Sequence, residues 1–376
     1  MIFRLNHLFF LLLWVGLVSC TETGERKKKP GQKYAQGFSI RKEKNFTGIT
    51  VRNPWEKAGN VEFDYYLVPR DSVVPTHLSG KTIIRIPVKR IICLSTSHIA
   101  FLSALGLNDA ITGISGASYI TNPYIRRRIA EGLIRDVGYD RLLNYEEIIR
   151  QHPDLVMVYG VDSEITGVVS KLQDLGIPAV YNAEYLEQTP LGKAEWIKFV
   201  AEFFRMGEKA DSVFNKVRQH YDLLKEKVAG LGDKPVVMVG MPYRDAWWIP
   251  GGRSYLSVLL KDAGANYVAR ENPTHESFVI SMEEAFLKAE RSEYWIHVGS
   301  IQSKTEILET DSRFRNFTLF KNGRIFNNNK RTTPEGGNDF WESGAVYPDS
   351  VLADLIAIFH PEVLTDSTLT YYKEIK

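Results

Sequence analysis

Short, almost wholly apolar runs alternate along the chain with longer stretches whose apolar positions recur at helical spacing. The runs are Arg90 to Leu94, Ala110 to Ile114, Leu155 to Val158, Ala179 to Tyr181, Val236 to Gly240, Tyr294 to Val298 and Arg324 to Phe326. A strand buried on both faces loses the polar alternation of a half-exposed one. Such runs between helical stretches therefore predict parallel strands covered by helices. In open sheets of that kind ligands bind beyond the carboxyl ends of the strands, where loops converge and helix N-termini point N–H donors into the space.

The pattern occurs twice. Tyr145-Glu146-Glu147-Ile148-Ile149 leads through Pro153-Asp154 into Leu155 to Val158 and Gly160, and Met282-Glu283-Glu284-Ala285-Phe286 leads through Arg291-Ser292-Glu293 into Tyr294 to Val298 and Gly299. Phe101 to Gly106 and Tyr255 to Leu260 form a second matching pair, each an apolar helix soon followed by glycine. One α/β unit thus forms each of two lobes. Between them, Ala210, Val213, Val217, Tyr221, Leu224 and Val228 mark a long helix over 208–229, and Thr189-Pro190 supplies the cap and first residue of the helix before it. At 1.5 Å per residue the long helix reaches roughly 33 Å, enough to span both lobes. The apolar stripe lacks the clean heptad of a coiled coil.

The N-terminus carries Arg4, an 11-residue apolar run from Leu8 to Val18, and then Ser19-Cys20. A membrane-spanning helix needs about 20 apolar residues, so the run reads as a cleaved export signal. Small and apolar residues before Cys20 resemble the lipobox of bacterial lipoproteins, which makes Cys20 the expected lipid-modified first residue. Thr21 to Lys33 holds no apolar side chain and is expected to be a tether. The mature chain then has 46 basic against 45 acidic residues, with no concentrated basic face, so nucleic acid is not an expected partner. Cys93 is the one thiol left and sits in an apolar run, where cysteine acts as a small hydrophobe. The expected layout is a signal over 1–19, a tether over 20–36, an extension over 37–88, a first lobe over 89–207, the connecting helix over 208–229, and a second lobe over 230–376. Val61 to Val68 in the extension alternates enough to predict strands packed on the first lobe. Asn327 to Ser343 is turn-rich and expected near the cleft rim, and Asp349 to His360 is expected as a closing helix.

These residues reach a resemblance. Arg90 to Ser95, Leu105-Gly106 to Gly113-Ile114, Gly138-Tyr139, Leu143-Asn144-Tyr145-Glu146 with Pro153 to Val156, and Leu172 to Pro178 match in order, followed by Pro250-Gly251-Gly252-Arg253-Ser254, Ala263-Gly264-Ala265 and Ile280-Ser281-Met282-Glu283. From about Arg90 to His360 the chain resembles the periplasmic binding family for ferric siderophores, haem and cobalamin. The resemblance implies an α/β fold: two lobes with mainly parallel sheets joined by one long connecting helix, and a ligand cleft between them. It implies the substrate-binding component of an ABC importer, working as a monomer with a permease dimer and its ATPase, lipid-anchored on the periplasmic side of the membrane. It further places Glu146 and Glu283 as the two glutamates that dock the loaded lobes onto permease arginines. No catalysis and no resident cofactor or metal are implied.

The strand-end loops are rich in aromatic and cationic groups: Ser95, His98, Tyr119, Tyr159, Tyr185, Tyr243, Arg244, Trp247, Trp248, Arg270 and Trp341 are the ligand candidates. Flat aromatic faces suit a delocalised chelate, and Arg suits carboxylate or catecholate oxygens. Arg126-Arg127-Arg128 reads instead as a solvated helix face. The other readings are a receptor for bare zinc or manganese, an enzyme, and a purely structural surface lipoprotein. The eight His form no HxH, HExxH or His-rich loop, and no GxSxG string is present.

Overall fold

The computed structural model describes residues 33–139, 142–243, 246–365 and 367–376. The signal segment and Cys20 lie outside the described residues, as does Arg244. Residues 34–376 form one compact unit.

The extension is a four-stranded sheet in the order β1-β2-β3-β4, formed by β1 (Phe38–Lys42), β2 (Thr47–Arg52), β3 (Glu62–Pro69) and β4 (Ile83–Ile86). Its inner face shares the first lobe's core: Phe63 packs 4.6 Å from the Tyr181 ring and Phe38 packs 4.8 Å from Trp196. The segment before it is not the end of a free tether. Two buried carboxylates hold it, Glu195 Oε2 accepting from Tyr34 and Ala35 N–H at 2.6 and 2.8 Å, and Glu187 Oε1 accepting from Gln36 and Gly37 at 2.8 and 2.9 Å. The expected tether boundary at residue 36 is therefore corrected to about residue 33.

The first lobe holds β5 (Ile91–Cys93), β6 (Ile111–Ile114), β7 (Arg135–Asp136), β8 (Leu155–Val158) and β9 (Ala179–Tyr181), all parallel in the order β7-β6-β5-β8-β9. It is covered by α1 (Thr96–Leu105), α2 (Pro123–Ala130), α3 (Tyr145–Arg150), α4 (Ile165–Asp174) and α5 (Pro190–Glu202). Every residue of β5, β8 and β9 is buried, the reason their sequences carry no polar alternation.

After Gly207, α6 (Gly207–Ala229) runs between the lobes. Its Ala210 and Phe214 belong to the first lobe's core, its Tyr221, Leu224 and Val228 to the second's. One continuous apolar stripe thus seats both cores on one rod.

The second lobe has β10 (Val236–Val239), β11 (Pro242–Tyr243), β12 (Ala246–Ile249), β13 (Asn266–Tyr267), β14 (Phe278–Ile280), β15 (Tyr294–Ile296), β16 (Arg324–Asn327) and β17 (Lys373–Glu374). Its helices are α7 (Tyr255–Asp262), α8 (Met282–Glu290), α9 (Lys304–Thr310), α10 (Thr318–Asn322) and α11 (Pro348–Phe359). The main sheet runs β13-β10-β15-β16-β17, parallel except for β17. Its β13-β10-β15-β16 order repeats β6-β5-β8-β9 of the first lobe, so the duplication in the sequence is a duplication of fold. A small antiparallel sheet, β11-β12-β14, is an addition that the apolar runs did not reveal.

The chain also crosses between the lobes near its C-terminal end. Phe340 and Val351 pack in the second lobe's core while Val346 between them packs in the first's. Just upstream, residues 331–343 reach across to the loop after β6. Thr333 Oγ1 donates to the Ser118 carbonyl at 2.9 Å, the Thr121 hydroxyl donates to Asp339 Oδ1 at 3.1 Å, and Glu342 accepts from the Thr121 and Asn122 N–H groups at 2.8 and 3.0 Å. Gly337 lies against the Tyr119 carbonyl so closely that a Cβ there would meet its oxygen at 2.1 Å. Glu342 is 2% exposed and burial pushes its carboxyl pKa up, so its stability rests on those two N–H donors. Glu342→Ala leaves both donors without their acceptor. It is expected to cost about 1–3 kcal/mol and to raise amide hydrogen exchange at residues 118–122; unchanged exchange there would mean that the clasp does not hold the lobes.

Candidate ligand-binding site

The lobes touch beyond the carboxyl ends of strands of both sheets: the loop after β6 meets residues 331–343, which follow β16. On the first lobe, β5 runs into Ser95, whose side chain caps α1 by accepting from Ser97 N–H at 3.4 Å. After β6 and β7 come Tyr119 and Tyr139, with ring centroids 5.6 Å apart and 39% and 51% exposed. After β8 and β9 come Tyr159 and Tyr185, 6.4 Å apart, the Tyr185 hydroxyl donating to the Gly160 carbonyl at 2.7 Å. Burial raises the Tyr185 pKa, so it remains a neutral phenol.

On the second lobe, Trp248 is 54% exposed on β12 beside its cross-strand neighbour Val279. Trp341 is 53% exposed on the crossing segment, its ring edge-on to Phe340 at 4.6 Å. Phe340 in turn packs edge-on at 5.2 Å from His297, at the end of β15. His297 Nε2 lies 2.6 Å from the Tyr372 hydroxyl, and burial pushes its pKa down to about 3. Tyr243 lies in β11. Arg270 follows β13, exposed, with Nε 3.2 Å from Glu271.

Two candidates belong to the core and not to the ligand surface. Trp247 is fully buried, its ring 6.0 Å from Trp295 and 5.9 Å from Phe314, and its Nε1 donates to the Val239 carbonyl at 3.2 Å. Neighbouring residues of a strand face opposite sides, so of Trp247 and Trp248 one must point inward. His98 is also fully buried, on the inner face of α1's first turn, and burial lowers its pKa to about 3 against the opposing pull of the Met157 backbone. The arginine run is engaged locally: Arg126 donates to the Ile120 carbonyl at 3.3 Å, Arg127 sits over the Tyr124 ring at 5.0 Å, and Arg128 pairs with Asp109 at 2.5 Å.

Glu146 and Glu283 occupy the same place in the two lobes. Each is exposed in the first turn of its helix, which Asn144 caps on Glu147 N–H at 3.0 Å in α3 and Ser281 caps on Glu284 N–H at 3.1 Å in α8. The Glu283 backbone N–H and the Ser281 hydroxyl hold its carboxyl below the usual carboxylate range. Tyr139, Lys193, Tyr255 and His297 are polar or aromatic groups at this boundary that the sequence reading did not select. Their signal was weak, since each stands alone in sequence and only the fold brings it to the boundary. A groove of about 620 Å³ lies elsewhere, where the extension meets the turn between α5 and α6, and none of the ligand candidates lines it. Among the described residues no three His, Cys, Asp or Glu side chains converge to hold a metal ion.

The chain is similar to several known proteins at low sequence identity. An uncharacterised lipoprotein of Methanocaldococcus jannaschii is 28% identical over 313 residues, covering 79% of this chain and 72% of its own, and a second from the same organism is 27% identical over 333 residues, covering 85% and 82%. Among solved structures, a possible iron-binding periplasmic solute-binding protein of Staphylococcus epidermidis superposes with a TM-score of 0.57 at 20% identity, over 73% of this chain and 99% of its own. A periplasmic haem-binding protein of Pseudomonas aeruginosa gives 0.57 at 17% identity over 77% and 98%, and the periplasmic vitamin B12 binding protein of Vibrio cholerae gives 0.52 at 13% identity over 74% and 99%. Residues 91–332, both half-repeats and the helix joining them, match the periplasmic binding protein family, and the chain belongs to it.

Proposed function

We propose that this protein is the substrate-binding component of an ABC importer that captures an iron-siderophore or related metal chelate between its lobes and hands it to an inner-membrane permease. The observation that carries the reading is that both lobes expose aromatic side chains after their sheet strands, Tyr119 and Tyr139 on one and Trp248 and Trp341 on the other. Exposed aromatic rings are costly in water and favourable against a large conjugated or aromatic ligand. Haem- and vitamin-B12-binding proteins of the same fold support the same class, so haem and cobalamin are the alternative ligands. No bond is made or broken and no resident cofactor takes part: binding, docking through Glu146 and Glu283, and release by the partner ATPase complete the cycle. Export and a lipid on Cys20 fit the lipoprotein relatives and keep the receptor, as a monomer, at the membrane face where the permease lies.

The test is a thermal-shift and tryptophan-quenching screen of the mature chain in detergent against ferric catecholate and hydroxamate siderophores, haemin and cyanocobalamin. A ligand that binds only the folded state raises the melting midpoint in proportion to log concentration. A saturable shift with one class identifies the cargo. A blank with every class from folded protein, together with retained zinc or manganese after dialysis, would replace the chelate by a bare metal.

A further inference from the structure

The helix α5 begins at the seam of the molecule: Leu191 packs in the second lobe's core and Ala194 in the first's. Lys193 lies between them. Its ammonium sits 4.9 Å from the centroid of the Tyr255 ring, the first residue of α7 in the opposite lobe. Among the described residues no carboxylate, carbonyl or hydroxyl accepts a hydrogen bond from it, yet the side chain is half-buried and burial pulls its pKa down.

The groups that face it explain why it is unspent. Glu187 gives its Oε1 to Gln36 and Gly37 N–H and to Trp196 Nε1. Glu184 is buried, with the Ser97 hydroxyl on its carboxylate, and its other oxygen is sealed from solvent without a partner. Both carboxylates help keep Lys193 protonated, although neither reaches it. Its Nζ is not among the sealed, unpartnered polar atoms of the fold, so the ammonium keeps a small accessible edge. The surroundings are those of a ligand floor: Ser97 begins the helix after β5, Glu184 follows β9, and Tyr255 follows the Pro250 to Ser254 loop. Two helix N-termini, of α5 and α7, meet there and add positive dipole ends.

We propose that Lys193, with the Tyr255 ring across from it, is an anion anchor on the floor of the cleft that takes an oxyanion of the cargo: a carboxylate, phenolate or catecholate arm. This rests on the chelate-capture reading and narrows it to chelates with an anionic oxygen periphery. An ammonium desolvated between lobes without an acceptor is unfavourable, and a ligand oxygen supplies the missing partner as a charge-assisted hydrogen bond.

The experiment uses the mature chain with Lys193→Met and Lys193→Arg, titrated with a ferric tris-catecholate, an uncharged ferric trihydroxamate, haemin and cyanocobalamin. Losing one charge-assisted hydrogen bond should weaken binding of the anionic chelates by about tenfold or more in the Met variant, with the Arg variant nearer wild type and uncharged ligands unaffected. Equal anionic binding by wild type and Met variant, or equal losses for charged and uncharged ligands, overturns the assignment. If wild type binds none of the four, the transport reading fails on its own, and acetic anhydride labelling of the unliganded protein read by mass spectrometry still decides the anchor. Lys193 acetylated at least as fast as exposed lysines, and protected by added citrate, sustains an open anion site; a Lys193 that stays unmodified, or that citrate does not protect, overturns it.

Discussion

Alanine at both Glu146 and Glu283 is expected to leave cargo affinity and the melting midpoint nearly unchanged while import falls to background. Both side chains are exposed, neither packs in a core, and both helices keep their caps through Asn144 and Ser281. Exposed substitutions away from caps and cores have small effects on stability. What the pair offers is position: one carboxylate on each half of a duplicated fold, at the same turn of the same helix, which matches a partner with two equivalent halves. Charges at an interface rim govern approach and register more than raw affinity, so the loss should appear in delivery and not in capture. The measurement pairs in vitro titration with uptake of iron-labelled chelate by cells carrying the variant. Single substitutions should give intermediate import, because each lobe keeps its partner in turn. Normal import by the double variant would remove the docking assignment and leave the binding site untouched.

The architecture was legible because burial on both faces writes itself into sequence. Leu155 to Val158 and Tyr294 to Ile296 are continuous apolar runs for that reason, and the Glu146 and Glu283 segments repeat because the half-fold repeats. The long helix was legible from one stripe whose two ends serve two cores. What escaped depends on partners far apart in the chain. Glu342 and Thr121 are 221 residues apart and Glu195 and Tyr34 are 161 apart, and an isolated acid in a sequence says nothing of a backbone N–H waiting on another element. Hence the turn-rich segment near Asn338 could be placed at the rim, but its grip on the first lobe could not be read. The hairpin strands β11 and β12 escaped because Tyr243 to Trp248 mixes aromatic and charged residues and resembles a ligand loop as much as a strand. The same ambiguity placed Trp247 at the ligand surface, where period-two alternation should have assigned only one of the adjacent tryptophans.

That adjacent pair supplies a sharp test of the assignment, because two chemically identical substitutions one residue apart should fail in opposite ways. Trp247→Ala removes a fully buried ring from contact with Trp295, Phe314 and Phe317 and leaves the Val239 carbonyl without its indole donor. Large aromatic-to-alanine changes in a core cost about 3–5 kcal/mol, since the cavity collapses only in part. Against a total stability of about 5–15 kcal/mol for a domain, that is enough to unfold a large share of the second lobe on warming. Trp248→Ala removes a ring that is 54% exposed on the opposite face of the same strand, and should change stability by no more than about 0.5 kcal/mol. It should instead weaken cargo binding, because Trp248 is the tryptophan that β12 turns outward. Thermal denaturation and ligand titration of both variants separate the outcomes. A stable Trp247 variant would contradict the core packing, and a Trp248 variant with full affinity would move the ligand surface away from β12 toward Trp341 and the first-lobe tyrosines.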